Sequence, residues 1–284
     1  METPIDIRPS PIAGKWYPGE AARLAESVDG YINSAQIPSI EGKVIGIIVP
    51  HAGHLYSGPV AGFAFAALRG LDPELVVVVS PMHHPYFQPL LTTSHDAYGT
   101  PLGRILLEKE ALLTLDAQLK ETLGFGLAAV RNDPEHSLEI ELPFLQRALA
   151  HEFHLLPVMV RDQSARTTEA LGHAIAKTVA DKNCLLVAST DLSHFYPQKI
   201  ANTLDAVLLD EVEAFNPLGV LQADEEGKGF ACGKGALAAV LWAARDLGAD
   251  HVQVLHHATS GDVTGDFEQV VGYGSAVVTR QNPS

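Results

Sequence analysis

Three apolar runs in this chain stop abruptly at Pro, Ser or Thr and then present histidine. They are Val44–Val49 before Pro50-His51, Leu75–Val79 before Ser80-Pro81-Met82-His83-His84, and Leu185–Ala188 before Ser189-Thr190-Asp191-Leu192-Ser193-His194. Short, continuous, β-branched runs are buried on both faces, which is the habit of parallel sheets covered by helices. Such sheets bind ligands beyond the carboxyl ends of their strands. The three endings therefore predict one convergent site carrying His51, one of His83 and His84, Asp191 and His194.

The remaining pattern predicts an α/β fold with a central mixed, largely parallel sheet flanked by helices. Helices are expected near Ala21–Ile32, Val60–Leu68, Leu106–Leu119, Ser137–Ala150, Thr167–Ala180, Lys199–Phe215 and Gly235–Leu247, with further strands at His154–Val160, Val252–His257 and Val270–Val278. The first strand, the Ala-rich helix after it and the second strand read as a right-handed strand–helix–strand unit. The last two strands follow each other through a short, turn-rich connection, which makes the sheet mixed. Residues 1–18 read as irregular, with Trp16-Tyr17 packing the segment down. No repeat, low-complexity tract or long linker interrupts the 284 residues, so a single domain over 1–284 is expected.

Charge narrows the function. With 19 basic against 34 acidic residues and no Lys/Arg cluster, the formal net charge is -15, which argues against nucleic acid as a partner. No apolar stretch approaches the roughly 20 residues that cross a bilayer, and no basic-then-apolar leader is present. A cytoplasmic protein without membrane contact is the expectation. Two cysteines make no disulfide framework.

Individual residues carry alternatives. Neighbouring side chains point in different directions, so at most one of His83 and His84 faces the site, and His83 is preferred. Asp191 and His194 follow a strand closely; Asp191 either serves the site or caps a following helix. His136, in Asp133-Pro134-Glu135-His136-Ser137, precedes a helix whose apolar stripe is Leu138, Leu142, Leu145 and Leu149, and it either caps that helix or joins the site. Cys232 lies in the Gly-rich run Gly227–Gly235 ahead of a helix, with Lys228 and Lys234 nearby. That setting favours thiolate and makes Cys232 a candidate metal ligand or nucleophile. Cys184, opening an apolar strand, reads as a small buried hydrophobe. Ser260–Asp266 reads as a turn able to reach the same sheet edge, and its acids lack the EF-hand spacing.

Several segments together resemble the Memo family: Pro50-His51-Ala52-Gly53 with Tyr56-Ser57-Gly58, Pro81-Met82-His83-His84, and Glu135-His136-Ser137-Leu138-Glu139 with Leu142-Pro143-Phe144-Leu145. Ser189–His194, Cys232-Gly233, and Ser260-Gly261-Asp262 with Val271-Gly272-Tyr273 continue the match, as do Ala13–Pro18 and Thr100–Gly103. The resemblance covers nearly the whole chain in order. It implies a fold similar to class III extradiol dioxygenases, the non-haem iron enzymes that open catechol rings. For microbial members it implies component B of the AmmeMemoRadiSam set, with radical-SAM and AMMECR1-like partners.

The resemblance also implies a metal pocket at His51, His83 and Cys232, with Asp191 and His194 beside it. Extradiol dioxygenases use two histidines and a carboxylate. A thiolate in third place is softer and shifts preference toward copper(I), zinc or a modified iron site; the metal expected is Fe(II) or copper, with zinc as the alternative. His194 and His136 would then move protons, with Asp191 orienting an imidazole. Phe230, Tyr56 and the Thr100–Gly103 loop would wall the pocket around a small-molecule substrate. The function expected first is a redox, dioxygenase-like metalloprotein. The second is a non-catalytic module that binds phosphopeptides, as proposed for eukaryotic Memo proteins, and the third a zinc- or Cys232-dependent hydrolase.

Overall fold

The computed structural model describes residues 4–281. In chain order its strands are β1 (Ile7–Arg8), β2 (Lys43–Val49), β3 (Leu75–Pro81), β4 (Leu90–Thr93), β5 (Ala97–Thr100), β6 (Gly103–Leu106), β7 (Ala128–Val130), β8 (His154–Val160), β9 (Cys184–Ser189), β10 (His194–Tyr196), β11 (His251–Thr259) and β12 (Val270–Arg280). The helices are α1 (Ala21–Ser34), α2 (His54–Ala66), α3 (Lys109–Leu123), α4 (Leu142–Ala148), α5 (Ala165–Val179), α6 (Gln198–Glu213), α7 (Pro217–Glu225), α8 (Lys234–Asp246) and the short α9 (Gly261–Thr264).

The three histidine-bearing runs are β2, β3 and β9 of a nine-stranded mixed sheet. They lie parallel with β8 in the spatial order β2-β9-β3-β8. Sequence neighbours β2 and β3 are therefore not sheet neighbours; β9, contributed much later, lies between them. β12 pairs antiparallel with β2, β10 and β11, and β4 pairs antiparallel with β8, so the sheet is mixed at both sides. A separate small sheet joins β1, β5 and β6, which gives the amino-terminal segment a strand that its composition did not announce. Residues 1–3 of that segment lie outside the described residues.

Alternate residues of the central strands enter opposite cores, which is why their runs are continuous rather than alternating. Ile47, Val49, Val76, Val78 and Val187 share one core with Leu24 and Val28 of α1, Phe65 of α2 and Phe144 of α4. Ile48, Val77, Val79, Leu186 and Ala188 share the other with Leu115 of α3, Leu171 and Ile175 of α5, and Leu237 and Val240 of α8. Among the described residues no helix is long and apolar enough to cross a membrane.

Three helices differ most from their sequence limits; α3, expected over Leu106–Leu119, runs Lys109–Leu123, because Leu106 closes β6. α2 begins at His54 and carries Pro59 within its first turns, so it starts earlier than Val60. The helix expected over Ser137–Ala150 is shorter, because a 3-10 turn at Glu139–Glu141 leads into α4 and Leu149 is extended. Pro143 occupies the first turn of α4, where no backbone N–H is needed.

His54 is buried against Tyr17 and Phe144, and its Nε2–H donates to the Ile140 carbonyl at 3.0 Å. Burial holds this imidazole down to about 4, against an ordinary value of 6.5. Between those values the unfolded chain binds a proton that the folded chain refuses. Stability therefore falls as pH is lowered through that window, by on the order of 3 kcal/mol at full extent. His54→Asn is expected to remove this increment from denaturant unfolding measured across the window; an unchanged pH slope would assign it to another group.

Candidate metal centre

The carboxyl ends of β2, β9 and β3 lie side by side, and the residues just beyond them build the site. β2 delivers His51, β3 delivers His83, and β9 delivers Asp191 between them. His136 arrives from the segment linking β7 to α4. One ring nitrogen from each of His51, His83 and His136 lies within 4.8 Å of the other two. The ring centroids stand 5.2 Å apart for His51 and His83, 5.5 Å for His51 and His136, and 4.9 Å for His83 and His136. His51 is buried, His136 half-buried and His83 exposed, so the cluster has a closed floor and an open mouth. Of the adjacent pair, His83 and not His84 belongs to this cluster.

Two of the rings have a hydrogen-bond partner at Nδ1, and the third has a carboxylate nearby. Glu135 Oε1 stands 2.9 Å from His83 Nδ1 and 3.2 Å from His136 Nδ1. The same carboxylate accepts the backbone N–H groups of His83 (2.6 Å), His136 (2.9 Å) and Ser137 (3.0 Å). His51 Nδ1 lies 2.9 Å from Ser189 Oγ. Asp191 Oδ1 accepts the backbone N–H of His51 at 2.7 Å and of Ala52 at 3.2 Å, so this carboxylate grips the backbone under His51 rather than an imidazole. The Trp16 ring lies against His136, 4.1 Å between centroids.

Burial favours the neutral form of His51 and His136, which is the form that binds metals. Burial, then the proximity of His136 and His83, hold His51 well below the ordinary imidazole value. Burial brings His136 down to about 4, against the pull of Glu135. Glu135 responds the other way: burial opposes its charge, but the His83 hydrogen bond and the surrounding N–H groups hold it well below the usual carboxylate range. Burial raises Asp191 to about 7 despite the two backbone donors.

Cys232 reaches the floor of the cluster from the α7–α8 loop. Its Sγ lies 3.1 Å from His51 Nε2 and receives the Asp191 backbone N–H at 3.3 Å. The loop is pinned by Cys232 N–H to Asp191 O (3.2 Å) and Gly233 N–H to Thr190 Oγ1 (2.9 Å). A Cβ on Gly233 would fall 2.5 Å from Ser189 O, so only glycine lets this loop approach the strand end. The thiolate expected from nearby lysines does not find them: Lys228 pairs with Glu226 and Lys234 with Asp224. Burial and then Asp191 push the thiol up instead.

His194 is half-buried at the start of β10, its Nδ1–H donating to Leu192 O at 2.8 Å. Burial lowers its affinity for a proton, and His83 is close enough to add to the effect. One of the expected walls lies elsewhere. Thr100–Gly103 forms the β5–β6 turn, and its Leu102 and Gly103 line a separate cavity with Gln146, Arg147 and Phe153. Phe230 stacks with Tyr196, 5.9 Å between centroids. The Ser260–Asp266 turn closes the β11–β12 hairpin, with Asp262 accepting the Thr259 N–H at 2.7 Å.

Trp16 against His136, Glu135 against His83 and His136, and Ser189 against His51 are site contacts that the sequence left unassigned. A signal was available for the buried acids that follow His136: Glu139 and Glu141 alternate with Leu138, Ile140 and Leu142, which places carboxylates inside an apolar stretch.

The family described as Memo-like protein matches residues 8–277. A MEMO1 family protein of Methanococcoides burtonii is 35% identical over 274 residues, covering 96% of this chain and 100% of that protein. One from Nitrosopumilus maritimus is 33% identical over 274 residues, covering 95% and 98%. One from Thermotoga maritima is 32% identical over 278 residues, covering 94% and 98%. Among solved structures, an uncharacterized protein from Escherichia coli K12 superposes with a TM-score of 0.48 at 15% identity, covering 83% of this chain and 100% of that one.

Proposed function

The chain belongs to the Memo-like family, and from that premise we propose that it is a metalloprotein holding one iron or copper ion, with zinc as the alternative, on His51, His83 and His136 in a redox role. The observation that supports this reading is the convergence of three imidazoles, with Nδ1 of His51 on Ser189 and Nδ1 of His83 on Glu135, the carboxylate that also stands beside His136. Their Nε2 atoms are the ones left over, and imidazole suits iron, copper and zinc alike. Cys232 Sγ, beside His51 Nε2, offers a softer fourth donor. The ion would supply electron exchange and Lewis acidity.

The chain's own residues do the rest. Glu135 orients two rings and sets a negative charge behind them. Asp191 fixes the backbone that displays His51. His194, with Nδ1 tied to Leu192, presents Nε2 as a proton acceptor at the edge of the site. Trp16 covers one face of His136, and the exposure of His83 leaves a way in for a small molecule. Radical-SAM and AMMECR1-like proteins are the partners proposed with it.

The contact between Cys232 Sγ and His51 Nε2 favours a second reading, a Cys–His hydrolase. Burial counts against it, since it raises the thiol and lowers the imidazole, disfavouring both members of a thiolate–imidazolium pair. Anaerobic loading with Fe(II), Cu(I) or Zn(II), followed by exposure to dioxygen or to simple esters, separates the two. Oxygen uptake by the iron or copper form, abolished by His136→Ala, is expected. Ester turnover with no oxygen uptake by any form would overturn the redox reading.

A further inference from the structure

Ser189 Oγ has three polar neighbours and one proton. His51 Nδ1 lies 2.9 Å away, the Ser137 carbonyl oxygen 2.7 Å and Glu141 Oε1 2.8 Å. Ser189 and Glu141 are 0% and 1% exposed, so water does not compete for these contacts. A carbonyl oxygen only accepts, so the Ser137 contact is a hydrogen bond only when the Ser189 hydroxyl donates it. Both lone pairs of Oγ are then free to receive, one from Glu141 as the neutral acid and one from His51 Nδ1–H. In this assignment all three contacts are hydrogen bonds and no charge is stranded in the interior. Burial pushes Glu141 well above the carboxylate range, in agreement with the neutral form.

The alternatives are worse for the same reason. Were the hydroxyl turned to an ionised Glu141, the Ser137 carbonyl would lose its donor and a charge would lie buried, and His51 Nδ1 would still have to donate to Oγ. Were it turned to His51 Nδ1, the Ser137 carbonyl would face a lone pair at 2.7 Å.

We propose that Ser189, backed by Glu141, is the positioning residue that sets the tautomer of His51, keeping the proton on Nδ1 and baring Nε2 toward Cys232 and the metal. An Nε2 that carries hydrogen cannot ligate. In the metal-free protein the bare atom instead accepts from the Cys232 thiol at 3.1 Å. The consequence for metal affinity rests on the function proposed above, whereas the tautomer does not.

Imidazole nitrogen NMR of isotope-labelled, metal-free, reduced protein tests this, at a pH above the ordinary imidazole range and with the His51 signals assigned by their loss in His51→Gln. A protonated Nδ1 and a bare Nε2 are expected; hydrogen on Nε2 in the wild type would overturn the proposal without recourse to any variant. Ser189→Ala is expected to move His51 toward the Nε2–H form and to weaken Zn(II) binding, read by chelator competition, about 10- to 100-fold. Glu141→Gln still offers Oγ an N–H donor and is expected to keep the Nδ1–H form. A folded Ser189→Ala protein with unchanged tautomer would also overturn the proposal. Failure of the wild type to bind Zn(II), Fe(II) or Cu(I) would remove the metal reading and leave the NMR result to decide the tautomer.

Discussion

Arg8→Met is expected to cost about 3–5 kcal/mol of folding stability and to weaken metal binding, although Arg8 belongs to none of the site's ring contacts. Its side chain is 1% exposed and uses the whole guanidinium fork. Nε and Nη2 donate to the two Asp133 carboxylate oxygens at 3.0 and 2.9 Å, and Nη1 donates to Glu139 Oε2 at 2.6 Å. Nη2 also reaches the carbonyls of Asp133 and Glu135, at 3.0 and 2.8 Å. Methionine would fill much of the volume but leave two buried carboxylates without their cation, which is the costly way to break such a cluster. The stretch from Asp133 to Glu139 carries Glu135 and His136, so loosening it loosens the site. Arg8→Lys keeps the charge but not the fork and is expected to recover only part of the loss. Denaturant unfolding checks both; a loss for Arg8→Met below about 1 kcal/mol, the range of an exposed ion pair, would show that the cluster does not hold the segment.

Glu135→Gln is expected to lower metal affinity about 10- to 100-fold and stability by about 1–3 kcal/mol. The carboxylate accepts from three backbone N–H groups and stands against Nδ1 of both His83 and His136. An amide NH2 in place of one oxygen would confront an N–H it cannot accept. The pH dependence has a definite sign. Because the folded carboxyl lies below its unfolded value, its stabilisation is present above the ordinary carboxylate range and is lost as pH falls toward the folded value. Glu135→Gln should therefore flatten the acid limb of the unfolding profile. Chelator competition and acid unfolding, run on the same preparations, read the two effects separately.

The long strands were legible because both of their faces are buried, which writes Val, Ile and Leu into most positions of β2, β3 and β9. The strand endings were legible as well, since Pro50, Pro81 and Ser189 stop the apolar runs where the chain turns toward the site. The order β2-β9-β3 was not, because pairing between distant segments leaves no local pattern. β4 through β7 and β10 have four residues or fewer and bury little that is periodic, so nothing separates them from loops. α7 contains Gly219, a poor helix former, and is only nine residues long, although Pro217 suits its first turn and Asn216 caps it by accepting the Gly219 N–H at 3.1 Å.

The same distinction runs through the site. His51, His83 and His194 follow strands and could be picked out individually. His136 read equally as a helix cap, because only the fold places it within 4.8 Å of the other two rings. Glu135 and Ser189 act through geometry that no spacing encodes: one carboxylate meets two imidazoles, and one hydroxyl meets a ring, a carbonyl and a buried acid.

The central claim, that a metal ion sits on His51, His83 and His136, is tested most directly by elemental metal content. The proteins compared would be the wild type and His51→Ala, made without affinity histidines and reconstituted anaerobically with Fe(II) or Cu(I), with folding confirmed by circular dichroism. Close to one ion per chain in the wild type, lost in a folded His51→Ala protein, is the expected result. Equal metal in both, or none in the reconstituted wild type, would contradict it.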